Sequence, residues 1–214
     1  MQVTPALTVV PRGMAPHVAL VLAGEYDIPG LEGVGEVIDI GANCGAFALW
    51  ARNRFGAETV YCFEPWPSNY AALVGNVVPD GDNSWARLST FAVVGRSAPE
   101  IYLRPGLHND GEVSEHDLGE QGSGSGFVAA TIHAAKLPSC DFLKVDTGGS
   151  ELEIVTAYLS AGNKPAAIAY EWHRLSDRTD LHHELVRARY TQVAEVVHSP
   201  TRGVAKWLRT DLLD

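Results

Sequence analysis

The run Val37-Ile-Asp39-Ile-Gly41-Ala42-Asn43-Cys44-Gly45 constrains the fold more than any other stretch of the chain. An apolar segment ends in an acid, passes through two glycines spaced G-x-x-x-G, and enters a stripe of Phe47, Trp50, Ala51 and Phe55 at helical spacing. Strand, tight turn and helix in that order open a parallel α/β sheet. Glycines in such a turn let backbone approach a small ligand closely, because a side chain at either position would stand in the way. A second apolar segment, Thr59-Val-Tyr-Cys-Phe-Glu64, also ends in an acid. Acids at the tips of neighbouring strands suit a nucleoside, the first beside the turn and the second able to accept hydrogen bonds from both ribose hydroxyls. The turn has neither the G-x-G-x-x-G of dinucleotide sites nor the G-x-x-x-x-G-K-[ST] of phosphate loops.

Strand and helix signals alternate beyond this unit, which implies a mainly parallel sheet with helices on both faces. Strands are expected near 35–40, 59–64, 87–94, 142–146 and 166–172, and helices near 45–55, 68–77, 150–161 and 177–189. Alternating apolar residues over 191–198 and 204–210 suit a closing antiparallel pair. Ser150 with Glu153 reads as a capping box, and Gly162 followed by Asn163 as the end of the same helix. With 214 residues, the chain is expected to form one domain with an N-terminal arm over 1–30 and a hairpin insertion over 100–135. Within that insertion, residues 105–126 are glycine-rich and acidic; they read either as a surface loop between two hairpin strands or as a mobile cover over a substrate.

The net charge of −10 argues against a nucleic-acid partner, which would call for a basic face. Cys44, Cys62 and Cys140 form no C-x-x-C pair, and Cys44 and Cys62 read as buried thiols. No run is long enough to span a membrane, and the N-terminus lacks the basic start of a signal peptide, so the cytoplasm is the expected location. A homodimer stays open.

Asp146 ends the apolar strand Asp141-Phe-Leu-Lys144-Val-Asp146 and is followed by Gly148 and Gly149. Strand tips at this point of an α/β sheet are where ligands bind, so Asp146 is a candidate to orient or deprotonate an acceptor hydroxyl; the plainer reading is a loop acid or an ion pair with Lys144. Glu171 and His173 end the next strand two residues apart, so they share a side. His173 is either a general base or a surface histidine. His182 and His183 read as solvated, and His108, His116 and His133 could reach a ligand only if the insertion folds over. No histidine spacing supports a metal cluster, and no metal ligands are assigned.

The segments Val37–Phe47 and Phe63-Glu-Pro-Trp-Pro-Ser-Asn69, with Asn76, together with Phe142-Leu-Lys-Val-Asp-Thr-Gly-Gly-Ser-Glu151 and Ile168-Ala-Tyr-Glu-Trp-His173, resemble the FkbM-type S-adenosylmethionine (SAM)-dependent methyltransferases. The resemblance runs from about Gly24 to His173 in the right order. It implies a Rossmann-like class I fold with a seven-stranded sheet, SAM as cofactor, and methyl transfer to a hydroxyl of a sugar, glycolipid, polyketide-type product or other small molecule. SAM is expected to contact Asp39, Gly41, Ala42, Asn43, Gly45 and Glu64, with Ala92 and Val93 near the adenine. Asp146 and His173 are the expected catalytic pair, and Glu171 and Glu151 the expected substrate contacts. The family's Asp-x-Glu-Gly-x-Glu reads here Asp146-Thr-Gly148-Gly-Ser-Glu151, so Gly148 replaces an acid. That departure keeps a non-catalytic SAM-binding module as an alternative; a nicotinamide-dependent oxidoreductase is the other.

Overall fold

The computed structural model describes residues 7–11, 13–78, 84–104, 112–113 and 126–213. A central sheet of seven strands runs in the order β10 (Tyr190–Ser199), β11 (Arg202–Arg209), β9 (Ala167–Trp172), β8 (Phe142–Val145), β1 (Glu36–Ile40), β2 (Thr59–Phe63) and β3 (Ala86–Ser89). All pairings are parallel except those of β11, which is antiparallel to both β9 and β10. The inner strands are mostly apolar because helices cover both faces, the regular requirement of a parallel sheet; Asp39, Lys144 and Glu171 are buried charged exceptions. On one face, α2 (Ala46–Phe55) and α3 (Pro67–Val77) bury Phe47, Trp50, Leu73 and Val77. On the other, α4 (Glu151–Ser160) and α5 (Leu175–Arg187) bury Ile154, Val155, Tyr158, Leu181 and Leu185. The order reverses between β1 and β8, and the crevice at their C-terminal tips is where such sheets bind ligands.

The expected strand over 87–94 is two strands. The side-chain oxygen of Ser89 accepts the Phe91 N–H at 3.2 Å, a local bond that competes with the ladder and ends β3. The chain then turns into β4 (Ala92–Val94), which pairs with β7 (Phe127–His133) in a small second sheet ordered β4-β7-β5-β6, where β5 is Glu100–Arg104 and β6 is Glu112–Val113. The hairpin over 100–135 is therefore present, while most of residues 105–126, with His108 and His116, lies outside the described residues.

Two further local readings change. Ser150 is the N-cap of α4, but its side chain makes no capping bond; Glu153 instead accepts the Gly95 N–H at 3.3 Å and pairs with Arg96 at 3.0 Å. The capping box is thus absent because its acid is drawn to the loop after β4. The N-terminal arm contains a helix, α1 (Ala15–Leu22), that opens with a proline and buries Val18 against Cys44, Ala46 and Ala72. The arm is tied down by Asn76: its Oδ1 accepts the N–H groups of Thr8 and Val9, both at 2.9 Å, and its Nδ2 donates to the Val9 and Cys44 carbonyls at 2.6 and 2.8 Å.

Candidate active site

A cavity of about 1110 Å³, counted out to its open mouth, lies over the β1–β8 crevice. One end is walled by Phe63, Glu64, Trp66, Ala92, Val93 and Leu103. The other is walled by Tyr26, Lys144, Asp146, Thr147, Gly148 and Arg202, with the glycine turn between the two ends. Small-molecule sites occupy roughly 300–1,000 Å³, so the space is ample for a nucleoside-sized ligand.

The turn is built by chain-to-chain contact. Gly41 has φ 78° and a Cβ there would lie 1.8 Å from the Asp146 carbonyl oxygen. Gly45 has φ 87° and a Cβ there would meet Val77 and Leu73 of α3 at 2.7 and 2.9 Å. Gly41, Ala42 and Asn43 line the cavity as expected, whereas Gly45 faces α3: its bareness serves helix packing, which corrects its assignment to ligand approach. Asn43 sits at φ 49°, a conformation asparagine tolerates.

Glu64 is buried, and its carboxylate accepts the Asn43 N–H and the Trp66 N–H, both at 2.8 Å. Burial pushes its carboxyl up to about 7 in spite of those two bonds. Nearby, the side-chain oxygens of Asn43 and Asn69 are buried without a hydrogen-bond partner among the described residues. Both residues line the cavity. Unsatisfied buried acceptors are costly, and ligand hydroxyl or amino donors would satisfy them.

Asp39 is not on the cavity wall. It is fully buried one layer below, 3.0 Å from the Lys144 ammonium, its register partner on β8. This corrects its assignment as a direct ligand contact: the strand's alternation turns its side chain into the sheet face under α2, and a partner cation holds it there. Burial raises its carboxyl and Lys144 opposes that rise.

Asp146 does face the cavity. Tyr26 donates to its Oδ2 at 3.3 Å and the Lys144 ammonium stands 3.9 Å away. Burial works to raise the Asp146 carboxyl, but the Lys144 charge, a hydrogen bond with Glu171 and the cations His173 and Arg202 bring it down to about 2. Glu171 takes the opposite course: burial and the adjoining Asp146 charge push it up to about 9, although Arg202 donates to both its oxygens at 2.5 and 3.2 Å. His173 lies 3.5 Å from both Glu151 and Glu171. Burial works to lower its pKa, but Glu151, Asp146 and Glu171 raise it to about 9.

Three assignments are corrected by this cluster. His173 does not line the cavity, and the acids around it favour its imidazolium, which is no proton acceptor. Glu151 is buried and accepts the Thr147 and Gly149 N–H groups at 2.8 and 3.2 Å, which shapes the loop after β8 instead of touching a substrate. Glu171 is clamped by Arg202. Asp146, Glu171 and His173 each bring one donor atom within 4.8 Å of the others, spacing that suits a cation; Arg202 and the imidazolium already supply positive charge there. Tyr26, Lys144 and Arg202 are the residues that sequence reading left out of the site. The only signals were a lysine within an apolar strand and the family-like Gly24-Glu-Tyr-Asp27.

No family model matches the chain. It is 34% identical over 131 residues to 31-O-demethyl-FK506 methyltransferase FkbM of Streptomyces tacrolimicus, covering 58% of this chain and 47% of that protein. The crystal structure of methyltransferase FkbM from Methylobacillus flagellatus KT aligns with a TM-score of 0.58 at 18% identity, over 86% of this chain and 46% of that one. The chain is similar to FkbM methyltransferases over these stretches. It spans about half the length of these two FkbM proteins. Precorrin-6y C5,15-methyltransferase from Geobacter metallireducens GS-15 aligns with a TM-score of 0.56 at 14% identity over 97% and 96% of the two chains. These alignments and the sheet order show the Rossmann-like class I fold, with its closing antiparallel strand.

Proposed function

We propose that the chain is a SAM-dependent methyltransferase that acts on a hydroxyl oxygen of a small molecule, of the sugar, glycolipid or polyketide type. One observation carries the reading: a single cavity joins the glycine turn and the buried Glu64 at one end to an ionised Asp146 at the other. The residues fit the cofactor. Glu64 and the unpaired Asn43 and Asn69 oxygens offer acceptors to a nucleoside, and Phe63, Trp66, Ala92, Val93 and Leu103 offer an apolar wall to a base. SAM when bound supplies an electrophilic methyl group. The chain's own part is to align an acceptor oxygen and relieve it of its proton. Asp146, held as a carboxylate, is the group that faces the cavity and can hydrogen-bond that hydroxyl; Tyr26 steadies its Oδ2. Arg202 on the cavity wall and His173 behind it balance the acids.

Met14, His17, Val18 and Val21 of the N-terminal arm also line the cavity, with Met14 and Val18 packed beside the turn against Cys44 and Ala46, so the arm is a cover for the bound ligands among the described residues. The net charge of −10 supports a small-molecule acceptor over nucleic acid. No helix among the described residues is long and apolar enough to cross a membrane.

Calorimetric titration with SAM, beside NAD(H), tests the reading. Saturable SAM binding is expected, weakened about tenfold or more by Glu64→Ala, which removes a charged hydrogen-bond acceptor. Tighter binding of NAD(H) than of SAM would sink it.

A further inference from the structure

Lys144 stands where a charge is costly. Its strand, β8, is central and in register with β1 on one side and β9 on the other. The residue is 3% exposed, with the rings of Tyr26 and Phe47 at 5.7 and 5.8 Å from its ammonium. An ammonium in such a place is sustained only by a counter-ion and hydrogen bonds. Asp39 supplies the counter-ion at 3.0 Å. Yet the side chain reaches beyond that pair: it donates to the Gly41 carbonyl at 2.7 Å and approaches Asp146 Oδ2 to 3.9 Å. One ammonium thus touches the turn at the middle of the cavity and the acid at its end. The same two segments abut through backbone, since the Asp146 N–H donates to the Ile40 carbonyl at 3.0 Å and Gly41 has room only for a hydrogen against Asp146.

We propose that Lys144 is a positioning residue for both halves of the cavity: its ammonium fixes the Gly41 carbonyl of the cofactor turn and holds Asp146 as a carboxylate facing the acceptor. The inference rests on the cavity being the SAM site. The groups that face Asp146 are Glu25 and Tyr26 from the N-terminal arm, Asp39 from β1, Lys144 from β8, Glu171 and His173 at the end of β9, and Arg202 from β11. Among the cations, Lys144 acts on Asp146 most strongly.

The test uses Lys144→Met and the double variant Asp39→Asn/Lys144→Met. The single change leaves Asp39 as a buried charge without its counter-ion and is expected to impair folding; the double removes both charges and keeps the shape of the pair. Two quantities are read on wild type and double variant: SAM affinity by calorimetry, and titration of the Asp146 carboxyl by carbon NMR of aspartate-labelled protein, assigned with Asp146→Asn. The double variant is expected to melt cooperatively, yet to bind SAM about tenfold or more weakly, the loss that follows removal of a charged hydrogen bond from the site. Its Asp146 carboxyl is expected to titrate above the ordinary aspartate value of about 3.9, whereas the wild-type carboxyl stays ionised throughout that range. Unchanged SAM affinity overturns the role at the turn, and an unmoved carboxyl titration overturns the role at Asp146. If both are unchanged, Lys144 merely neutralises Asp39. Failure of the wild type to bind SAM would strike the cofactor reading and the role at the turn together. The carboxyl titration needs no ligand and still decides the other half.

Discussion

A carboxylate that accepts two backbone N–H groups ordinarily ionises easily, yet Glu64 is pushed up to about 7 because burial outweighs both bonds. A carboxyl pushed to about 7 should be partly protonated near neutral pH in the ligand-free protein. Ribose hydroxyls donate hydrogen bonds, and donors favour the ionised form. Binding of SAM should then release a proton from Glu64, and affinity should rise as pH increases through about 7. Calorimetry in buffers of different ionisation enthalpy at pH 7 would show the released proton, and Glu64→Gln should abolish both the release and the pH dependence. Proton uptake on binding would contradict the ribose contact. The place of Glu64 on the cavity wall was legible in the sequence because it lies at the end of an apolar strand and is followed by Pro65 and Pro67. Lys144 was legible only as a possible partner of Asp146. Its reach to Gly41 depends on how β1 and β8, about a hundred residues apart in the chain, fall into register, and no local pattern carries that.

At the scale of elements, strands and helices were readable wherever period and length were strong, as for β1, β2, β9, α2 and α3. The reading failed where a single side chain diverts the backbone. Ser89 ends β3 through its bond to Phe91, and Glu153 leaves the α4 cap for Gly95 and Arg96. The N-terminal arm was under-read for another reason: α1 buries only Val18, so its apolar periodicity is faint. What fixes the arm is Asn76 on α3, which bonds Thr8, Val9 and the Cys44 carbonyl together. Asn76→Ala should cost about 1–3 kcal/mol, the usual loss when buried donors and acceptors lose their partner. Hydrogen exchange of residues 8–22 should accelerate more than exchange in β1 or β8. Equal acceleration everywhere would show that Asn76 supports the whole fold and not the arm.

For the molecule as a whole, the notable economy is that acids and cations from five separate stretches meet over one crevice. His173 is raised from 6.5 to about 9 by Glu151, Asp146 and Glu171 in spite of burial. A raised cation contributes stability that is full below about 6.5 and lost as pH climbs through about 9. Glu171, raised from 4.5 to about 9, acts in the same sense, because the folded chain keeps a proton that the unfolded chain gives up. The melting temperature should therefore fall between about pH 6.5 and 9. His173→Gln should lower it at pH 6 by removing roughly 2 kcal/mol of stability, and should flatten the alkaline fall. A variant that melts like wild type at pH 6 would show that the imidazolium is not held by its acids. The last hairpin contributes more than closure of the sheet. Arg202 clamps Glu171, and His198 pairs with Glu25 of the N-terminal arm at 2.6 Å. The second of these bonds joins the N-terminal arm to the last hairpin, and Glu25 and Arg202 both line the cavity. A substitution of His198 would therefore reach the ligand only through the arm: it takes from Glu25, on the cavity wall, its histidine partner.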